Sequence, residues 1–278
     1  MNIKNIKDLL IKFWQSDNEK ISLLRDVFVA VVAVLIVLLF LWAYTGQWFA
    51  APMVAIESGS MEHPDSPFGR LGTIDAGDMV LVQKVNTHDD LIVHGGNFGG
   101  AQAKGDPNNF YYGDWGDVVI YKPLGREDVS QIIHRLMCWV VINNDLQETR
   151  YTIAEYGVIN ETSITIPELG LRNSKPSWTH SGYLTKGDNN KVIDQTSDIC
   201  PQPIKLEWIS GKARLEIPWL GTINLFFEDI ISGKNTVSNV HEDCLICLGI
   251  VIAILVSIPI ILDIKDYLRD KKKKGNIK

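Results

Sequence analysis

Cysteine is scarce in this chain, with four residues among 278. Cys244 and Cys247 lie within a long uncharged run. Their spacing is shared by metal ligands, but no second such pair occurs, so we interpret both as apolar residues of a helix. Only Cys138 and Cys200 remain, which allows at most one disulfide and excludes a small fold held together by disulfides. The sequence leaves open whether these two are joined.

An excess of positive charge is also lacking, since the formal net charge is −6 at pH 7. Nucleic acid is therefore not an expected partner. The glycine-rich stretch 95–100 has neither the lysine nor the helix start of a phosphate-binding loop. We expect no cofactor and no metal. The surrounding segment 86–114 is polar and rich in glycine, and we interpret it as a surface insertion or a lid.

Two long runs without any charge are present, Val27 to Tyr44 and Cys244 to Leu262. At 1.5 Å per residue, each can cross the roughly 30 Å apolar core of a bilayer. The first run is too long for the apolar part of a cleaved signal peptide. We predict membrane-spanning helices at 27–45 and 244–262, which makes the lipid bilayer one partner.

The charges beside the two predicted spans indicate their orientation. Lysine and arginine are frequent in the tails 1–26 and 263–278, and basic flanks usually stay on the cytoplasmic side. We therefore predict a cell-membrane protein with both termini in the cytoplasm. Residues 46–243 would then form an extracytoplasmic domain.

The predicted outer domain has the pattern of a mainly β fold. Several short segments are rich in β-branched and aromatic residues and are bounded by Gly, Asp, Asn or Pro. These segments are 79–85, 118–121, 131–136, 139–142 and 150–153. No helical periodicity of convincing length is visible outside the two apolar runs, so we expect no further helix.

A serine pair, Ser58 and Ser60, follows the first apolar run closely. Serine is a weak nucleophile, and it needs a base within hydrogen-bond reach and donors for the developing oxyanion. Taken alone, Ser-Gly-Ser is typical of a solvated turn. A candidate base and a candidate carboxylate elsewhere in the chain are needed to distinguish a serine nucleophile from a solvated turn.

His134 is the histidine best suited to act as the base, because it lies within the apolar strand 131–136. A hydrogen-bonded core histidine would show the same pattern. Asp188 and Asp194 both follow as candidates for the carboxylate that orients it, and the pattern alone does not choose between them.

Five motifs occur in a fixed order. They are Ser58-Gly59-Ser60-Met61, Gly77-Asp78-Met79-Val80-Leu81-Val82, Gly116-Asp117-Val118-Val119-Ile120-Tyr121, Ile133-His134-Arg135 and Thr185-Lys186-Gly187-Asp188-Asn189-Asn190. Together they resemble the type I signal peptidases, most closely the archaeal branch, which is similar to the catalytic subunit of the endoplasmic reticulum signal peptidase complex. A further stretch, 209–221, resembles the strand and turn that follow in archaeal members.

The resemblance implies a role for each matching residue. Ser60 corresponds to the nucleophile and His134 to the base, where bacterial members have lysine. Ser58 matches the hydroxyl that forms the oxyanion hole with the Ser60 amide. Asp194 matches the aspartate of the triad and Asp188 its supporting acidic partner.

Two departures concern the segment after the serines. Glu62 and His63 both precede Pro64, where the family usually has one residue, and the link from Pro64 to Gly77 is longer than usual. These differences bear on the substrate groove more than on the nucleophile.

The family's activity gives the expected function. The chain would be a membrane-bound serine endopeptidase with a signal-peptidase-like β fold. It would remove N-terminal signal peptides from secreted preproteins at the outer membrane face, after small residues. Ile56 and the strand 79–82 would form part of the substrate-binding wall. A need for translocation machinery or accessory subunits is left open.

Two alternatives remain at this point. The first is a membrane-anchored β domain that binds external partners without catalysis, in which Ser60 and His134 are incidental. The second is a peptidase of the same fold that uses a lysine, Lys84 or Lys186, as the base.

Overall fold

The structure is a computed structural model. It describes residues 13–16, 18–48, 50–63, 72–95, 106–144 and 148–275. The chain divides into two compact units, Met1–Pro52 and Met53–Lys278. The glycine-rich stretch proposed as the centre of an insertion lies mostly outside the described residues.

In the described part of the first unit, a long helix, α1, spans Glu19–Thr45. It begins where the Asn18 side chain accepts a hydrogen bond from the amide of Lys20, and it ends at Gly46, which adopts a left-handed conformation. Its apolar side chains are largely exposed. The helix is long and apolar enough to cross a membrane.

The second unit ends in another long helix, α3, at Glu242–Gly275. Its apolar part is also long enough and apolar enough to cross a membrane. Both helices extend beyond the predicted spans 27–45 and 244–262, because the polar and charged flanks continue the helical hydrogen bonding. Two such helices are compatible with membrane association.

Between Met53 and the start of α3 the structure consists mainly of antiparallel strands, as the sequence predicts. The strands are β1 Met53–Ala55, β2 Met79–Gln83, β3 Phe110–Tyr111, β4 Asp114–Trp115, β5 Val118–Tyr121, β6 Ile132–Asn144, β7 Thr149–Ile153, β8 Val158–Glu161, β9 Ile164–Ile166, β10 Leu171–Ser174, β11 Gly182–Lys186 and β12 Ile209–Ile217. The main sheet has the order β1-β2-β12-β5-β6-β7-β8, and β11 also pairs with β6. Two small hairpins, β3-β4 and β9-β10, complete the described strands.

Strand β6 is the central element of the main sheet. The two strands predicted at 131–136 and 139–142 are one continuous strand, because Met137 and Cys138 are buried apolar residues and no turn separates the segments. Its first residues pair with β5, its middle residues with β11 and its last residues with β7. The strand therefore links the two halves of the sheet.

The expectation of no further helix is wrong. Helix α2 occupies Leu220–Ser232, directly after β12. Only Gly221, Thr222 and Leu225 of this helix are buried. Leu220, Ile223, Phe227 and Ile230 do recur at helical spacing, but the helix has only 13 residues, so the pattern is short beside the two long apolar runs.

The structure also decides whether Cys138 and Cys200 are joined, and it shows how the ends of the segment 86–114 are attached. All four cysteines are described and all are free, so Cys138 and Cys200 are not joined. The start of the segment 86–114 is attached to the sheet, since the amide of His94 donates to the carbonyl of Leu136 at 2.7 Å. The end of this segment forms β3 and enters β4.

Candidate active site

Ser60 lies on a short 3₁₀ turn, Gly59–Met61, that follows β1. The backbone is held on both sides of the turn. The amide of Ile56 donates to the carbonyl of Asp78 at 2.9 Å, and Met61 is fully buried in an apolar cluster that also contains Ile56. The Ser60 side chain is only half-buried. A fixed backbone thus presents a hydroxyl that remains accessible.

His134 joins Ser60 and Asp194 in one line of hydrogen bonds. It lies on β6 opposite Val119 of β5 and is 2% exposed. Its Nε2 is 3.0 Å from Ser60 Oγ, and its Nδ1 is 2.7 Å from Asp194 Oδ2. With the ring proton on Nδ1, facing the carboxylate, Nε2 offers a lone pair to the serine hydroxyl. This is the arrangement in which an imidazole serves as general base.

Two further hydroxyls bind the same oxygen of Asp194. Tyr121 and Thr185 each donate to Oδ2 at 2.7 Å, and Asp194 is fully buried. Burial, followed by the nearby Asp194 charge, raises the pKa of Tyr121, which keeps its phenol protonated and a donor. A buried carboxylate requires such donors. Neither residue was predicted as a site member, although each lies in one of the five motifs.

Ser58 lies beside the nucleophile candidate. Its hydroxyl donates to Ser60 Oγ over 3.5 Å, at the outer limit of a hydrogen bond. The side chain of Ser58 is therefore within reach of a carbonyl oxygen whose carbon approaches Ser60. Its role as an oxyanion donor stays a prediction.

A tight turn at residues 187–190 holds the nucleophile loop. The amide of Asn189 donates to the carbonyl of Ser60 at 2.9 Å, and its side-chain amide donates to the carbonyl of Gly59 at 3.0 Å. Gly187 allows this close approach. A β-carbon there would lie 2.6 Å from the Ser60 carbonyl oxygen and 2.8 Å from His134 Nε2. Asn189 and Gly187 were part of a motif but had no predicted role.

Asp188 stabilises the same region through Arg135 and His63. Arg135 is fully buried and donates to both carboxylate oxygens, from Nε at 2.8 Å and from a terminal nitrogen at 2.5 Å. Burial would raise the pKa of Asp188, but the hydrogen bonds from Arg135 and His63 outweigh it and lower the pKa. The same hydrogen bond to Asp188 raises the pKa of His63. Pro64, which follows His63 in the sequence, is outside the described residues.

The two aspartates therefore occupy different positions. Asp194 contacts the ring of His134 directly, whereas Asp188 contacts Arg135, the next residue on β6. His63 completes this second pair, with Nε2 at 3.0 Å from Asp188 Oδ2. No role was predicted for His63, which the sequence singled out only by its place before Pro64.

The two lysines considered as alternative bases lie elsewhere. Lys186 donates to the carbonyl of Glu168 over 3.4 Å and lines a separate polar cavity with His94 and Asp188. Lys84 is exposed just after β2. The basic group within hydrogen-bond distance of the Ser60 hydroxyl is the imidazole of His134.

A cavity of about 510 Å³ opens beside Ser60 and His134. Its apolar lining includes Val54, Ile56 and Ile133. Ile56 was predicted to line the substrate site, and it does line this cavity. The other predicted segment, 79–82, lies in β2, which pairs with β1 behind the cavity, and it is not among the lining residues. The cavity runs along β1, which is an edge strand of the main sheet.

Among the described residues, no group of three or more His, Cys, Asp or Glu side chains is arranged to hold a metal ion. No protein-family model matches the sequence, and no curated protein matches it either.

Proposed function

We propose that the chain is a membrane-associated serine endopeptidase that removes signal peptides, with Ser60, His134 and Asp194 as its catalytic triad. One observation carries the proposal: His134 lies 3.0 Å from the Ser60 hydroxyl and 2.7 Å from the Asp194 carboxylate. A core histidine can satisfy its two ring nitrogens with any polar neighbours. A histidine placed between an accessible serine and a buried aspartate can move a proton.

The chemistry assigned to these groups is acyl transfer. Ser60 Oγ attacks the carbonyl carbon of the scissile peptide bond while His134 Nε2 accepts its proton. Asp194 stabilises the imidazolium that forms. The C–N bond then breaks as His134 returns the proton to the leaving amine, and water hydrolyses the resulting ester by the same route.

The oxyanion of the tetrahedral intermediate needs donors on the opposite side from the base. Ser58 supplies a hydroxyl at this place, as the resemblance to signal peptidases implies. Its 3.5 Å separation from Ser60 Oγ is compatible with a donor that shortens its contact when negative charge develops.

The proposed substrate is an extended peptide with small residues before the scissile bond. The edge strand β1 can pair with such a peptide, as in other cases of strand addition. Apolar side chains of the cavity, including Val54 and Ile133, provide the surface for the small residues.

The two long apolar helices support a location at a membrane. We propose that both termini are cytoplasmic and that the β domain is extracytoplasmic, on the basis of the basic tails. A signal peptide leaves its own apolar helix in the bilayer, so an enzyme that cleaves just outside this helix must act close to the membrane surface.

Cleavage of a preprotein by the purified full-length chain in detergent tests the proposal. The wild type is expected to yield a shorter protein, and mass spectrometry of the product should place the cut after a small residue. Ser60→Ala is expected to abolish the product because the covalent route is lost. Absence of cleavage by the wild type on several preproteins, with the chain folded, would favour the non-catalytic alternative.

A further inference from the structure

Helix α2 is amphipathic, but most of its apolar side chains point away from the protein. The exposed apolar residues are Leu220, Ile223, Phe226, Phe227, Ile230 and Ile231. Each is at least 36% exposed, and Ile231 reaches 85%. Exposed apolar residues scattered singly need no explanation, whereas a continuous apolar helix face marks an interaction surface.

Polar contacts fix the helix in this orientation. The amide of Thr222 donates to the carbonyl of Gly77 at 2.9 Å. Near the other end, the Asp229 carboxylate accepts from the amides of Thr236 and Val237 at 2.9 Å and from the Thr236 hydroxyl at 2.7 Å. Rotation of the helix to bury the phenylalanines would break all of these hydrogen bonds. The apolar face is therefore held outward by the fold.

Helix α2 lies beside the first turn of α3, the helix that is long and apolar enough to cross a membrane. One buried apolar cluster joins the two helices. It contains Leu225 of α2, Cys244 of α3 and, from the segment between them, Val240. The chain between the two helices is short, since α2 ends at Ser232 and α3 begins at Glu242. The apolar face of α2 is thus close to the point at which α3 would enter the bilayer.

We propose that α2 lies in the membrane interface and that its outward face is covered by lipid acyl chains. Helices of this kind lie in the plane of the membrane with one apolar face in the boundary between headgroups and acyl chains. The six outward residues include no charged or polar side chain. The charged residues Glu228 and Asp229 are only half-buried and lie on the remaining faces.

Lipid suits this face better than a second copy or a soluble partner. The neighbouring helix α3 has exposed apolar side chains along its length, so a partner seated on α2 would have to fit into the narrow space beside a membrane span. Acyl chains around α3 would reach α2 without any additional binding partner. The apolar surfaces of both helices would then be covered by one bilayer.

Contact of α2 with the membrane would also fix the distance between the membrane surface and the cavity beside Ser60. Thr236, which is held by Asp229 of α2, lines that cavity together with Asn239. Asn239 in turn donates to the carbonyl of Glu57 at 2.9 Å. The segment that joins α2 to α3 therefore connects the proposed membrane contact to the cavity wall.

Site-specific photocrosslinking in lipid vesicles tests the inference without any need for catalytic activity. A photoreactive phenylalanine analogue is introduced at Phe227 of the full-length chain. The chain is reconstituted into phosphatidylcholine and phosphatidylglycerol vesicles, and adducts are identified by mass spectrometry. Ile254 of α3 serves as the position expected in the bilayer. Ile159 of β8, which is 59% exposed, is the matched surface control.

The proposal predicts lipid adducts at positions 227 and 254 and no lipid adduct at position 159. Crosslinks between two copies of the chain at position 227 would overturn it in favour of a dimer interface. Lipid adducts at position 254 without any at position 227 would also overturn it, as would equal labelling of positions 227 and 159. These outcomes are independent of peptidase activity, so they can be told apart from a failure of the proposed function.

Discussion

At the scale of single residues, the site is organised by two carboxylates with different tasks. Asp194 receives three hydrogen bonds on one oxygen, from His134, Tyr121 and Thr185. Asp188 is bound by Arg135, the residue after His134 on β6, and by His63. The first carboxylate can therefore influence the charge and tautomer of His134 directly, whereas the second is linked to β6 through the side chain of Arg135.

This difference predicts unequal effects of two isosteric substitutions. Asp194→Asn should lower the rate of preprotein cleavage by about 10³- to 10⁴-fold, since it removes the charge that stabilises imidazolium and allows the wrong tautomer. Asp188→Asn should cost less in rate. Cleavage rates of both variants, with folding checked by circular dichroism, measure the difference. A larger loss for Asp188→Asn would mean that Asp188 is the third member of the triad.

At the scale of elements, the turn at 187–190 is the part that brings the nucleophile loop to β6. Asn189 bonds the carbonyls of Gly59 and Ser60, and Gly187 permits contact with His134. The turn is polar and short, and its stability depends on these tertiary contacts. Small changes in its backbone should therefore alter the geometry between Ser60 and His134.

Gly187→Ala tests this dependence. The added methyl group would lie within 3 Å of the Ser60 carbonyl oxygen and of His134 Nε2, so the turn or the ring must move. We expect a large loss of cleavage rate, with the chain still folded. Gly249→Ala in α3 is the matched control, because nothing lies within 4 Å of its added β-carbon. Equal activity of both variants would contradict the close packing assigned to the turn.

The sequence predicts elements better than it predicts their contacts. Alternating β-branched segments identified β2, β5 and β7 closely, because these strands are bounded by turn residues. The motif order singled out Ser60 and His134. The choice of Asp194 as the carboxylate in contact with His134 depends on how β11 and the following turn pack on β6, which no local pattern encodes. Helix α2 was missed because its apolar periodicity extends over only 13 residues.

At the scale of the whole molecule, buried acidic groups predict how stability depends on pH. Burial raises the pKa of Glu216 to about 7 and that of Asp78 to about 6. Both carboxyls bind protons more tightly in the folded state than in the unfolded state. Their contribution to stability is therefore present at low pH and is lost as the pH rises through about 6 and then 7.

The unfolding temperature of the purified chain in detergent is thus expected to rise as the pH is lowered from about 8 to about 5. Glu216→Gln, which cannot ionise, should flatten the profile between about pH 4.5 and about pH 7, where the wild-type carboxyl binds more protons in the folded chain than in the unfolded chain. Thermal melts of both proteins across this range provide the measurement. A wild-type melting temperature that increases with pH over the same range would contradict the assignment.

The proposed topology predicts the pattern of protease protection. In sealed inside-out vesicles, an added protease should remove only the basic tails and leave residues 46–243 intact, because the β domain would face the lumen. Immunoblots against tags at both ends and against the domain would follow the fragments. Digestion of the domain in intact vesicles would indicate the inverted orientation.

A comparison of Ser60→Ala, His134→Ala and the double variant in a preprotein cleavage assay tests the proposed triad directly. Residues that act as one catalytic unit show strongly non-additive effects. The proposed triad predicts that each single substitution removes nearly all activity and that the double variant is no slower than the slower single variant. Substantial activity in Ser60→Ala, or fully additive losses in the double variant, would contradict it.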